Sequence, residues 1–176
     1  LVNKLGYQIV TQKRKGFGSA IKNGIEKAKG DVIIILNADG SQDPRDIPKL
    51  LDKLNEGYDL VLASRYLPGG GGGGSEDDTL LHFIGNKIFT LLSNLLYQVN
   101  VSDILYFFLA ARKEIFDTTK PNCPHAGYCV EVPIKAKKAG FSIGEIPSFE
   151  KKRTAGRAKV HAFSAGLKIL ITLLRQ

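Results

Sequence analysis

Hydrophobic and polar positions fall in blocks whose spacing separates helices from strands. A short mixed stretch at 7–12 predicts a strand, and the basic residues 13–16 predict a turn. Residues 19–29 predict a helix, because Ala20, Ile21, Ile25 and Ala28 fall on one side and Gly30 supplies a stop. The run 31–36 (Asp-Val-Ile-Ile-Ile-Leu) has the pattern of a strand covered on both faces. A polar loop follows at 37–44. Residues 45–55 predict a second helix ended by Gly57, and 58–63 a second buried strand leading into Ser64-Arg65-Tyr66. Strands and helices alternating over short loops predict a parallel α/β sheet. Ligands of such sheets gather at the carboxyl ends of the strands, where Asn37-Ala38-Asp39 and Ser64-Arg65 both fall.

The second half changes character. Six consecutive glycines, Gly69 to Gly74, predict a flexible loop over 69–75. Glu76, Asp77 and Asp78 suit the approach to a helix N-terminus, and the apolar run 79–97 predicts that helix. Residues 104–111 and 141–147 predict strands. Residues 128–139 predict a helix with which Pro133 conflicts. A charged loop at 150–159 precedes a terminal amphipathic helix within 160–176. Val160, Phe163, Leu167, Leu170, Ile171 and Leu174 form its apolar stripe, which Ile169 and Leu173 widen; His161, Lys168 and Arg175 form a basic face. That helix suits packing on its own sheet or lying in a membrane interface. At about 1.5 Å per residue it is too short to span a bilayer of ~30 Å.

Length and charge narrow the partners. With 176 residues the chain is read as one domain, and 25 Lys and Arg against 17 Asp and Glu leave a net charge of +8. That balance favours polyanionic partners: nucleic acid, anionic membranes or phosphorylated ligands. No aromatic-basic interleaving or known motif supports nucleic acid. Two cysteines, Cys123 and Cys129, exclude a disulfide framework and lack a zinc spacing, and a reducing compartment is expected. No apolar run reaches the ~18 residues of a membrane span. The chain has no methionine, so Leu1 is read as other than the native start.

Several residues could carry chemistry. Asp39 just past a buried strand could hold Mg²⁺ or Mn²⁺ against a diphosphate, although Asp, Asn and Gly there also make an ordinary turn. Asp43 before Pro44 reads as a helix cap. Lys15-Gly16-Phe17-Gly18 lacks the third glycine of a dinucleotide fingerprint, since Ile21 stands in its place, and reads as a basic turn at a helix start. Arg65 could clamp phosphate or form a surface salt bridge. Lys151, Lys152, Arg153, Arg157 and Lys159 around Gly156 form a solvated charge run or an anion-binding lid. Asp103 could be a general base or a cap. His82 and Glu131 have bland readings as a structural histidine and a dipole-favoured carboxylate.

As an ordered set these elements resemble a family 2 glycosyltransferase of the GT-A fold, most closely the dolichol-phosphate mannose synthase-like branch. The resemblance is carried by Lys15-Gly16-Phe17-Gly18-Ser19-Ala20, Gly30-Asp31, Asn37-Ala38-Asp39-Gly40-Ser41, Ser64-Arg65-Tyr66, Asn86, Ser102-Asp103, Arg112-Lys113-Glu114, Glu131, Gly144-Glu145-Ile146-Pro147 and Arg153-x-x-Gly156-x-x-Lys159. It implies a mixed, mainly parallel α/β sheet flanked by helices. It also implies a hexosyltransferase moving sugar from a nucleotide-diphospho-sugar of the GDP-mannose or UDP-glucose type to a polyprenyl phosphate. The enzyme would sit peripherally on the cytoplasmic membrane surface. Asn37 and Asp39 match the metal-holding Asp-x-Asp motif, with Mg²⁺ or Mn²⁺ as cofactor. Arg65, Arg153 and Lys159 match basic residues around the donor diphosphate and acceptor phosphate. His82 and Asn86 match a Ser and Asn near the acceptor phosphate, and Glu131 an acidic residue beside the sugar. Asp39, Asp103 and Arg65 are the expected catalytic set.

The departures from the family pattern are specific. Asn37 removes one motif charge, His82 replaces Ser, and Asp78 stands where an Arg is usual. Tyr106, Phe107, Phe108 and Leu109 replace a Gly and a Phe-Arg pair, and Ala158 replaces Ser. The family's opening strand and the next one, with its nucleobase-contacting acid, are not in the sequence, so the chain is read as N-terminally truncated. Asn37, the substitutions at 106–109 and the missing strands favour the rival reading, a non-catalytic module binding a partner or anionic lipid.

Overall fold

The computed structural model describes residues 5–67, 73–154 and 162–176. In chain order they form α1 (Phe17–Lys27), β1 (Val32–Ile35), α2 (Ile47–Asn55), β2 (Leu60–Ser64), β3 (Gly74–Ser75) and α3 (Leu80–Tyr97). Then follow β4 (Leu109–Arg112), α4 (Lys113–Thr119), α5 (Tyr128–Lys138), β5 (Ile143–Pro147), β6 (Phe149–Glu150) and α6 (Ala162–Leu174). The main sheet has the order β1-β4-β2-β5. β4 runs antiparallel to both β1 and β2, and β2 pairs in parallel with β5. β1, β2 and β5 thus share one direction, with β4 inserted in reverse, so the sheet is mixed where the local alternation alone predicts parallel. β3 and β6 make a small parallel pair at its side.

Side-chain alternation along the strands divides the core in two. Leu60, Leu62, Leu109 and Ala111 face α1, α5 and α6, whereas Val61, Ala63 and Ala110 face Leu50 and Leu54 of α2. All five residues of β2 are buried. β1 departs from expectation: Ile33 is buried but Val32 and Ile34 are exposed. Among the described residues β1 pairs only with β4, at the sheet edge, and its second face lies open. Residues 7–12 form no strand and are mostly exposed, having no neighbouring strand to bond among the described residues. The strand expected at 104–111 starts only at Leu109; Phe107 has a positive φ of 36° that interrupts extended structure. The hydrophobic substitutions at 106–109 are packed in the core.

Asp43 does cap: its carboxylate accepts the Arg45 N–H at 3.0 Å and starts a 3₁₀ turn ahead of α2. α5 runs through Pro133, forgoing one backbone bond in a helix with eight buried positions. α3 is turned inside out relative to an ordinary amphipathic helix. Asn86, Thr90 and Ser93 are its buried residues, while Leu80, Leu81, Ile84, Ile88, Leu91 and Leu95 face outward. In α6, Ile169 and Leu173 are packed in the core, whereas Phe163, Leu167, Ile171 and Leu174 of the predicted stripe are exposed, so of the two readings of that stripe the one that packs it on the sheet is not followed. Val160 and His161 lie outside the described residues, as do Gly69 to Gly72.

Candidate active site

The carboxyl ends of β1 and β2 carry the polar clusters. After β1 the chain enters a turn in which Asp39 Oδ1 accepts both the Ser41 N–H (3.1 Å) and the Ser41 hydroxyl (2.8 Å). Burial opposes ionisation of Asp39, but these bonds and the nearby Arg153 charge outweigh it and hold the carboxyl below its usual range. The Asn37 N–H donates to Gln42 Oε1 at 2.7 Å, and Gln42 Nε2 donates to the Tyr106 carbonyl at 3.1 Å. Gly40 has φ +81° and lies against Thr154; a Cβ there would come within 2.6 Å of Thr154 Oγ1. The Thr154 N–H (3.0 Å) and hydroxyl (3.1 Å) donate to the Asp39 carbonyl, and the Lys151 N–H donates to that of Ser41 at 2.8 Å. The loop carrying Asp39 and Ser41 and the start of the basic loop are therefore stitched together.

Arg65, at the end of β2, faces inward. Its Nε and Nη2 donate to Asp103 at 2.7 and 3.1 Å, and Nη1 donates to Glu150 Oε2 at 2.9 Å, with Asp78 Oδ1 at 3.6 Å. Burial pulls the guanidinium's pKa down, but bonding to Asp103 and three nearby negative charges raise it above its ordinary value. Asp103 is fully buried and also accepts from Asn86 Nδ2, whose Oδ1 takes the Thr90 hydroxyl at 2.9 Å. The sequence-predicted Arg65, Asn86 and Asp103 thus converge, but as a closed network. Neither an open phosphate clamp nor a solvent-facing base is visible there, because each group is already matched by an opposite partner.

Beside this network lies a cavity of about 680 Å³ between α3 and α6. Phe89, Leu105, Phe163 and Leu167 are among its apolar walls; His82, Asn86 and Arg153 supply its polar end. A second cavity of about 400 Å³ is bordered by Asn37, Tyr106, His125 and Lys168. Glu131 lines neither. Its carboxylate accepts the N–H groups of Asn122 and Cys123, the latter at 2.6 Å, and pairs with Lys135 at 2.9 Å, so the structure spends it on the loop before α5 rather than on a pocket. Lys159, Arg157, Gly156 and Ala158 lie outside the described residues. Gly16 and Gly18 have a packing role: a Cβ on Gly18 would fall 1.9 Å from the Cys123 carbonyl oxygen, and the Gly18 N–H donates to the Pro124 carbonyl at 3.2 Å.

Sequence reasoning missed the acidic partners. The approach to α3 is capped by Thr79, which accepts the His82 N–H. Asp77 instead takes Arg153 Nε (2.8 Å) and Nη2 (2.6 Å), Glu76 takes the Lys152 N–H at 3.2 Å, and Asp78 adjoins Arg65. Burial raises the Asp78 pKa, and Arg65 offsets this only in part. Glu145 accepts the N–H (2.9 Å) and hydroxyl (3.0 Å) of Ser102, whose oxygen lies 2.6 Å from that of Ser64. The acidic run Glu76-Asp77-Asp78 is the signal the sequence offers, but its pairing with Arg65 and Arg153 needs the fold.

Comparison with known proteins places this geometry. The profile for Glycosyl transferase family 2 matches residues 3–119. The chain is 29% identical over 166 residues to an uncharacterized glycosyltransferase of Mycobacterium tuberculosis, covering 94% of this chain and 73% of that one. It is 27% identical over 169 residues to the dolichyl-phosphate hexose transferase of Haloferax volcanii, covering 96% and 71%. It is 28% identical over 153 residues to the polyprenol monophosphomannose synthase of Mycolicibacterium smegmatis, covering 84% and 57%. In fold it matches glucosyl-3-phosphoglycerate synthase of Mycobacterium tuberculosis in complex with phosphoglyceric acid, with a TM-score of 0.75 at 21% identity, over 99% of this chain and 62% of that one. With its mixed sheet and strand-end site, the chain belongs to glycosyl transferase family 2 and has the GT-A fold.

Proposed function

We propose that the chain is the catalytic region of a metal-dependent enzyme that moves a hexose from a nucleotide-diphospho-sugar to a polyprenyl phosphate. The observation that carries this reading is the α3–α6 groove: apolar walls ending at His82, Asn86 and Arg153 suit a ligand with a long hydrocarbon tail and an anionic head. The names of the Haloferax volcanii and Mycolicibacterium smegmatis relatives support a lipid-phosphate acceptor. The related synthase of Mycobacterium tuberculosis has been crystallised with Mn²⁺, UDP and phosphoglyceric acid, which supports a divalent cation and a nucleotide donor.

The residues present fit such a cation. Asp39 and Asn37 offer a carboxylate and an amide oxygen, and among the described residues no three His, Cys, Asp or Glu side chains form a complete metal site. Hard divalent ions commonly keep waters and bind through one or two protein oxygens plus substrate phosphates. When bound, the cation would supply charge neutralisation for the departing diphosphate. Ser41 keeps Asp39 ionised and aimed. Arg153 and His82 orient the acceptor phosphate, which is already anionic near neutral pH, so a general base is not needed. The bond from the anomeric carbon to the donor diphosphate breaks and one to an acceptor phosphate oxygen forms, releasing nucleoside diphosphate. Asp103, sealed under Arg65 and Asn86, acts as a positioning residue for both, and Glu131 positions the loop before α5. The outward apolar rows of α3 and α6 suit docking on a membrane surface; no helix of the described residues is long and apolar enough to cross one.

The test is transfer of labelled hexose from UDP-glucose or GDP-mannose to farnesyl phosphate with Mn²⁺ or Mg²⁺. Product is expected with wild type, and Asp39→Ala should lower the rate by at least ~100-fold. Product formation that is indifferent to Asp39→Ala and to metal removal refutes the metal role. Failure to bind farnesyl phosphate refutes the acceptor.

A further inference from the structure

We infer that Asp77 is an internal competitor for the acceptor head group: it occupies Arg153, and a phosphate binds in the groove by displacing it. The inference rests on the groove's being the acceptor site. Arg153 is the groove's cationic end among the described residues, yet two of its N–H groups already bond one oxygen of Asp77, at 2.8 and 2.6 Å. This carboxylate is held in place. The Ser75 hydroxyl accepts the Asp77 N–H (3.2 Å) and the Asp78 N–H (3.0 Å) while donating to Glu150 at 2.6 Å. The Glu76 N–H donates to the Glu150 carbonyl at 2.9 Å, and Glu76 accepts the Lys152 N–H. The acid and the arginine thus face each other from two pinned segments. The pair is also exchangeable, since the Arg153 side chain is 35% exposed and that of Asp77 20%.

Charge decides the exchange. A phosphate monoester carries about −1.5 to −2 charges near neutral pH and three acceptor oxygens, against one charge on Asp77. It can take the guanidinium from the carboxylate; a neutral head group cannot. Transfer turns that monoester into a diester with a single charge. The product then competes with Asp77 on nearly equal terms, and Asp77 recaptures Arg153 as the product leaves. Asp77 therefore weakens acceptor binding and shortens product residence.

Farnesyl phosphate is the probe, titrated calorimetrically into wild type, Asp77→Asn, Asp77→Ala, Arg153→Ala and the Asp77→Asn/Arg153→Ala double variant. Both Asp77 variants are expected to bind it on the order of tenfold more tightly than wild type, and the gain should vanish without Arg153. A neutral probe, farnesol, should show no gain. Unchanged or weaker phosphate binding in both Asp77 variants overturns the inference, as does a gain that survives Arg153→Ala. If Arg153→Ala alone leaves farnesyl phosphate binding intact, the acceptor-site reading fails and this inference with it. If Arg153→Ala weakens binding while the Asp77 variants match wild type, only the competitor role falls.

Discussion

Arg65 and Arg153 use the same fork in opposite surroundings. Each bonds one aspartate through Nε and Nη2, Arg65 to Asp103 and Arg153 to Asp77. The Arg65 side chain is 8% exposed and its partner 0%, with Glu150 and Asp78 closing the remaining sides. The Arg153 pair opens on a groove and on solvent. Geometry alone does not tell a structural ion pair from an exchangeable one; the cost of unpairing does. A buried charge that loses its partner has no water to turn to, whereas a half-exposed one does.

The sharpest break in that comparison is Asp103→Ala. It leaves Arg65 Nε and Nη2 and the Asn86 amide without their acceptor in the interior, with Glu150 and Asp78 holding only Nη1, and should cost about 3 kcal/mol of stability, read by urea unfolding. Arg153→Ala should cost at most ~1 kcal/mol in the same measurement while weakening prenyl phosphate binding. Equal losses for the two variants would erase the distinction.

Asp78→Asn gives the smallest effect and depends on pH. Burial raises the folded-state pKa of Asp78, so its protonated form is favoured by folding and its charged form is a cost above that pKa. Removing the charge should stabilise the protein at pH 7 to 8 by an amount on the order of 2 °C in Tm. The gain should shrink as pH falls through the folded pKa, where wild-type Asp78 takes up its proton. A destabilisation at pH 8 would mean that Asp78 serves Arg65 as an indispensable partner after all.

The local patterns were legible in the chain because they need only neighbours. Ile21 and Ile25 on one helix side, the β-branched run before Asn37 and the Asp43-Pro44 cap reappear as α1, β1 and the turn before α2. The positions of Asn37 and Arg65 at strand ends follow from the same alternation. What could not be read depends on contacts across the chain. The insertion of β4 between β1 and β2 joins residues far apart in sequence, so β1 looked like a central strand. The outward row of α3 was indistinguishable from a core stripe, because its leucines and isoleucines have the same spacing whichever way the helix is turned. The acidic run 76–78 fitted a helix terminus locally, and only the arrival of Arg153 from 76 residues away gave it a different use.

The bonds that stitch Thr154 to Asp39 span 115 residues, and those from Arg65 reach Glu150 across 85. Such links can close only after the intervening chain has collapsed, and closing a long loop costs entropy before any contact repays it. The helices, the β2–α2 unit and single turns such as Asp39–Ser41 can form early through near neighbours, but the links that join the loops of the functional face have no local precursor. That face should therefore be completed late in folding. A refolding chain would regain helical signal before it regains affinity for either substrate.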